Sequence, residues 1–130
     1  MMNRLKQILL FTLFIACNSQ KHSAAQELSP RDFSDRLNKL QGAILLDVRS
    51  HEEYAEGHLK NARNINWNDD GFKNTSKQLD KNKTVFVYCL KGGRSASAAN
   101  YLRKSGFTNV YELQGGIEAW EKDKLPLSKD

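Results

Sequence analysis

One stretch of this chain gathers the residue types that nucleophilic chemistry needs: Cys89-Leu90-Lys91-Gly92-Gly93-Arg94-Ser95. It offers one thiol, two cations, two glycines and a hydroxyl. Sulfur attacks as thiolate, so such a site must hold negative charge. Consecutive backbone N–H groups in a glycine-rich turn form a nest for anions, and Lys91 and Arg94 add formal positive charge beside the sulfur. The same features attract an anionic substrate. No histidine lies in the stretch. His51 and His58 belong to another segment, so a Cys–His pair has no local support.

The flanking segments place this stretch. Residues 84–88, Thr-Val-Phe-Val-Tyr, form a β-branched and aromatic run that predicts a buried strand. Residues 95–105 read as a helix, with Arg103 and Lys104 in its last turn and Gly106-Phe107 as its stop. Cys89 is therefore expected where a strand hands over to a helix N-terminus. Ligands bind at that edge of open α/β sheets, and helix N-termini lower thiol pKa values.

The rest of the chain repeats the alternation. Ser29-Pro30-Arg31-Asp32 predicts a helix start, and Gly42 ends that helix. The apolar run 43–48 predicts a buried strand. Ser50 and Glu53 predict a capping box that opens a short helix ending at Gly57. Residues 62–67 predict a short edge strand and 70–79 a weakly patterned helix. Residues 109–113 predict a third strong strand, and a last helix runs from Gly115-Gly116 towards Pro126. The expected fold class is α/β: a small parallel sheet with helices on both faces.

The chain has 130 residues, enough for one core. Its net charge is +5, and Arg4 and Lys6 of the N-terminal segment account for two of those charges. The remaining body has no dense basic block or aromatic-interleaved basic stripe, which argues against nucleic-acid binding. The apolar run after Lys6 is shorter than the roughly 20 residues a membrane span needs. It ends at Ala16-Cys17, with Phe14 where leucine is commonest, and resembles a bacterial lipoprotein signal. That resemblance implies a signal peptide at 1–16, lipid on Cys17, a flexible tether at 17–27 and a domain at 28–130. It also implies a cell-envelope protein held to the membrane through Cys17. Asn18 supplies no acidic retention signal, so the outer membrane is favoured. The chain has two cysteines. A lipidated Cys17 leaves Cys89 without a disulfide partner, as an unpaired, reactive thiol.

Four motifs in order resemble the single-domain rhodanese (thiosulfate sulfurtransferase-like) family. They are Leu46-Asp47-Val48-Arg49, then Glu53-Tyr54 with Gly57-His58-Leu59 and Ala62, then the 88–95 segment, and finally Leu113-Gln114-Gly115-Gly116-Ile117 with Trp120. Leu59 stands where the family commonly has isoleucine. Arg94 is the fifth residue after Cys89, the loop length of the sulfurtransferases. The related phosphatases and arsenate reductases have a loop one residue longer, and Ser95 occupies that position here.

The resemblance implies a persulfide on Cys89, formed from a small anionic sulfur donor such as thiosulfate and discharged to a thiol or cyanide-like acceptor. Arg94, Lys91, Gly92, Gly93 and Leu90 are then the expected substrate-binding positions, with Leu90 exposed at the mouth. Asp47, Arg49 and Ser95 are expected in support. Neither cofactor nor metal is expected, and the chain is expected to be a monomer. A thiol-redox protein and a persulfide-carrying or partner-binding module are the alternatives. A thioredoxin-like Cys-x-x-Cys is absent.

Overall fold

The protein is described by a computed structural model covering residues 26–130. The expected signal peptide, Cys17 and most of the expected tether lie outside the described residues. In chain order the elements are β1 (Gln26–Leu28), α1 (Pro30–Lys39), β2 (Ile44–Asp47), α2 (His51–Glu56) and β3 (Arg63–Asn64). They continue with α3 (Phe72–Ser76), β4 (Val85–Tyr88), α4 (Gly93–Lys104), β5 (Val110–Leu113) and α5 (Gly116–Lys122). The five strands form one sheet in the order β1-β5-β4-β2-β3, and every pairing is parallel.

The central strands β2 and β4 are buried along their whole length, as continuous apolar runs between two helical layers must be. Their register pairs Leu46 with Val87 and Asp47 with Tyr88. Alternate residues face opposite sides. Leu46, Val48, Val87 and Cys89 pack with Phe72, Ala98 and Leu102, under α3 and α4. Leu45, Phe86 and Tyr88 pack on the other face with Phe33, Ile117 and Trp120, under α1 and α5. Phe33 meets Phe86 edge-on at 5.2 Å and Trp120 at 6.4 Å between ring centroids, which ties α1 and α5 to the middle strand. Helices on both faces of a parallel sheet are thus the observed architecture.

Local chemistry sets the helix starts. The Asp32 N–H donates to Ser29 Oγ at 3.2 Å, with Pro30 in the first turn. At α2, Ser50 and Glu53 form the full reciprocal box: Glu53 N–H donates to Ser50 Oγ at 3.2 Å, and Ser50 N–H donates to Glu53 Oε1 at 3.4 Å. Gly106, at φ +105°, ends α4, and the Phe107 N–H reaches back to the Leu102 carbonyl.

Four boundaries differ from expectation. Gln26 and Glu27, assigned to the tether, belong to β1 and pair with Tyr111 and Glu112. Helix α3 is five residues long: after Ser76 the chain continues in turns, with the Gln78 and Leu79 N–H groups donating to the Thr75 and Ser76 carbonyls, and Leu79 is buried from outside the helix. The edge strand shrinks to Arg63–Asn64, though Ile65 and Trp67 still donate to the Asp47 and Val48 carbonyls. Helix α4 begins at Gly93 rather than 95, which brings Arg94 into its first turn. Among the described residues no helix is long and apolar enough to cross a membrane.

Candidate active site

Cys89 follows the last residue of β4 and is a free thiol, buried to 1% exposure. The chain then turns through Gly92, which sits at φ +118°, a conformation glycine adopts without a Cβ penalty. This turn points the Gly92 N–H at the sulfur, 3.1 Å from Sγ. Ser95, one residue into α4 beyond Arg94, brings its Oγ to 3.4 Å from Sγ while its hydroxyl lies 3.1 Å from the Gly92 carbonyl. In the thiol form the S–H donates to Ser95 Oγ, and that hydroxyl donates onward to Gly92. In the thiolate form the Ser95 hydroxyl can turn and donate to sulfur.

These contacts set the acidity of the thiol. Burial pushes the Cys89 pKa up. The Ser95 hydroxyl and the N–H groups of Ser95, Gly92 and Lys91 outweigh it, and the thiol lies below its ordinary value. The dipole of the 12-residue α4 acts in the same direction.

The N-terminus of α5 holds the loop from below. Ile117 N–H donates to the Cys89 carbonyl at 2.9 Å and Glu118 N–H to the Leu90 carbonyl at 3.2 Å. This approach needs glycine at 116, because a Cβ there would stand 2.3 Å from the Leu90 carbonyl oxygen. Leu90 is half-buried and packs on the α1/α5 face, so it is less exposed than expected.

Arg94 and Lys91 differ in their partners. Arg94 Nη1 donates to Glu53 Oε1 at 2.7 Å and Nη2 to Oε2 at 3.0 Å, a bidentate pair between the first turns of α4 and α2. The Arg94 guanidinium holds the Glu53 carboxyl well below the usual carboxylate range, at about 2. Lys91 is exposed and forms no ion pair among the described residues. Gly92 and Gly93 have open space where a side chain would project.

Asp47 and Arg49 stand behind the cysteine rather than beside it. Asp47 is fully buried and receives the Arg49 backbone N–H at 3.0 Å, Arg49 Nη2 at 2.7 Å and the Tyr88 hydroxyl at 2.7 Å. Arg49 Nη2 also reaches the Gly57 carbonyl at 2.7 Å, and Tyr88 Oη accepts the Leu59 N–H at 3.0 Å. Burial and the Asp47 charge push the Tyr88 hydroxyl far above its ordinary value. Burial opposes the charged form of Arg49, but Asp47 outweighs it and keeps the guanidinium more basic than usual. The cluster pins the ends of β2 and β4 to the α2–β3 connection.

His58 is buried, stacked on Tyr54 at 3.8 Å, with its ring nitrogens 2.9 Å from the Tyr54 carbonyl and 2.8 Å from that of Asp130. Neither His58 nor the exposed His51 is hydrogen-bonded to Cys89, so among the described residues the hydrogen bonds to the sulfur come from N–H and hydroxyl groups and not from an imidazole. Among the described residues, no group of three or more His, Cys, Asp or Glu side chains converges as a metal site.

The roles of two residues of the site went unread in sequence. Glu53 was legible as a helix cap and as part of a family motif, but nothing along the chain joins it to Arg94, 41 residues away. Tyr88 read as strand filler, although a phenol at a fully buried strand position must find a partner.

Comparison with known proteins agrees with this geometry. Residues 29–123 match the family model described as Rhodanese-like domain. The uncharacterised protein YqhL of Bacillus subtilis (strain 168) is 32% identical over 123 residues, covering 92% of this chain and 94% of its own length. The thiosulfate sulfurtransferase GlpE of Coxiella burnetii is 38% identical over 85 residues, covering 65% of this chain and 78% of that protein. A crystal structure of a rhodanese-related protein from Thermoplasma volcanium superposes with a TM-score of 0.71 at 27% identity, covering 81% of this chain and 99% of the other. A matched family model over most of the chain, and a cysteine set between a parallel strand and a helix N-terminus, place this protein in the rhodanese-like domain family.

Proposed function

We propose that this protein is a sulfurtransferase that carries sulfane sulfur on Cys89. The observation that carries the reading is the environment of Sγ: a Gly92 N–H at 3.1 Å, the Ser95 hydroxyl at 3.4 Å and a thiol pKa below the ordinary value. Electrostatic preorganisation of this kind favours a thiolate before attack and a terminal persulfide after it.

The Cys89 thiolate attacks the outer sulfur of thiosulfate. A new S–S bond forms, the donor's own S–S bond breaks, and sulfite leaves with its electron pair. The persulfide anion then faces the loop N–H groups. A nucleophilic acceptor, cyanide in an assay or a thiol in the cell, takes the outer sulfur and returns Cys89 as thiolate. Cys89 exposes 1% of its surface, so the donor's outer sulfur must be admitted between loop residues. Lys91, exposed and unpaired among the described residues, is the cation available to guide it.

The test is thiosulfate:cyanide turnover of the purified protein against its Cys89→Ala variant. Thiocyanate that depends on Cys89, and a one-sulfur mass increase on the protein after thiosulfate alone, are expected. Equal rates for the two proteins would refute the reading.

We further propose that the chain works in the cell envelope, tethered through lipid on Cys17. Globomycin, which blocks lipoprotein signal cleavage, should cause an unprocessed precursor to accumulate. Normal processing in its presence would remove this assignment.

A further inference from the structure

Both terminal nitrogens of Arg94 are occupied by one carboxylate, that of Glu53, at 2.7 and 3.0 Å. The Arg94 side chain lies in the first turn of the helix that follows the cysteine loop, and the pair is partly open to solvent, at 25% and 31% side-chain exposure. Glu53 is itself held, because its Oε1 also accepts the Ser50 N–H of the capping box. The guanidinium nearest the sulfur in sequence is thus already neutralised by a preorganised partner. An anionic donor that reaches for Arg94 meets a competing carboxylate built into the fold.

We propose that Glu53 is a specificity-determining, positioning residue: it clamps Arg94 and so discriminates against donors in proportion to their negative charge. The inference rests on the sulfurtransferase reading above. With Arg94 clamped, the cysteine loop presents one unneutralised side-chain cation, Lys91, together with its backbone N–H groups. A site of that modest charge suits a donor with a single negative charge better than a dianion such as thiosulfate.

The substitution that tests this is Glu53→Gln. Glutamine serves the capping box as glutamate does, so α2 keeps its N-terminus while the carboxylate charge is removed. Two donors separate charge from shape: thiosulfate, a dianion, and an alkanethiosulfonate, a monoanion that loses a sulfinate in the same displacement. Coulomb energy scales with ligand charge. For a partly exposed pair, a fall in the thiosulfate KM of about fourfold is expected, with about twofold for the monoanion. In an Arg94→Gln background the further change Glu53→Gln should give no gain, since the clamp then has nothing to hold.

A binding readout stands beside turnover. Sulfate, which copies the sulfonate half of thiosulfate, should slow iodoacetamide alkylation of Cys89, with its half-protecting concentration about fourfold lower in Glu53→Gln. If the wild type turns over and Glu53→Gln leaves both the thiosulfate KM and the sulfate midpoint unchanged or raised, the clamp proposal is overturned. If the wild type makes no thiocyanate while Glu53→Gln still shifts the sulfate midpoint, the sulfurtransferase reading falls and the clamp stands as an anion-selectivity device. If neither turnover nor the midpoint responds, both fall.

Discussion

The Tyr88 hydroxyl donates to Asp47 Oδ2 at 2.7 Å, from the residue immediately before Cys89. Sulfur and phenol leave the strand on opposite faces, so the nucleophile is braced from behind. The phenol oxygen also accepts the Leu59 N–H. Tyr88→Phe removes both interactions and leaves that buried N–H without a partner. A loss of about 1–3 kcal/mol is expected. It should appear as a lower denaturation midpoint at unchanged m-value. An unaltered midpoint would mean that the brace contributes nothing.

Gly116 and Gly93 make a contrasting pair. Gly116 has φ +65° and faces the Leu90 and Cys89 carbonyl oxygens at 2.3 and 2.7 Å from a notional Cβ, whereas Gly93 has ordinary φ and open space around it. Gly116→Ala should cost at least about 2 kcal/mol from left-handed strain and overpacking together. It should also sharply reduce persulfide formation, by displacing the peptide that carries the sulfur. Gly93→Ala, in the first turn of α4, should leave stability equal or slightly raised. Melting curves and the mass adduct after thiosulfate check both. Equal tolerance at the two positions would contradict the role given to α5.

Ser95→Ala probes the acidity of the thiol. The Ser95 hydroxyl is the foremost of the groups that draw the Cys89 pKa down against burial. Its removal raises the thiol pKa, so the rate of alkylation against pH should keep its shape and move towards higher pH, since a hydrogen bond to the charged form is lost. On the rising limb of the profile the variant should therefore alkylate more slowly than the wild type at the same pH. A profile that stays in place would assign the acidity to the backbone N–H groups alone.

The legible parts of this molecule are those whose causes are local. Ser29 and Ser50 announce helices because capping is settled within three residues, and both caps form as read. The apolar runs behind β2, β4 and β5 demand burial wherever they lie. Strand β1 escaped because Gln26, Glu27 and Leu28 bury one side chain between them, and they become a strand only through the β5 edge. The cysteine loop was readable since its groups are contiguous. The partner of Arg94 was not, because a guanidinium bonds whichever carboxylate the fold delivers, and α2 delivers Glu53 across 41 residues. Leu90 is less exposed than expected for a similar reason: the face it packs on is assembled from segments distant in sequence.

The Glu53–Arg94 pair carries a pH signature of its own. Arg94, first, and the Ser50 groups hold the folded-state Glu53 carboxyl at about 2, against an ordinary value of 4.5. A depressed carboxylate contributes stability that is fully present above its unfolded pKa and is lost as pH falls through the folded one. The difference in unfolding free energy between wild type and Glu53→Gln should therefore be constant from neutral pH down to about 5, then shrink between about 4.5 and 2. Its plateau should be about 1 kcal/mol or less, since water screens a pair this exposed. Added salt should reduce the plateau further, because the charges lie within reach of mobile ions. Denaturant titrations of the two proteins at matched pH measure the difference directly. A gap that persists undiminished at pH 2 would show that the substitution disturbs packing rather than charge. The clamp on Arg94 would then need another explanation.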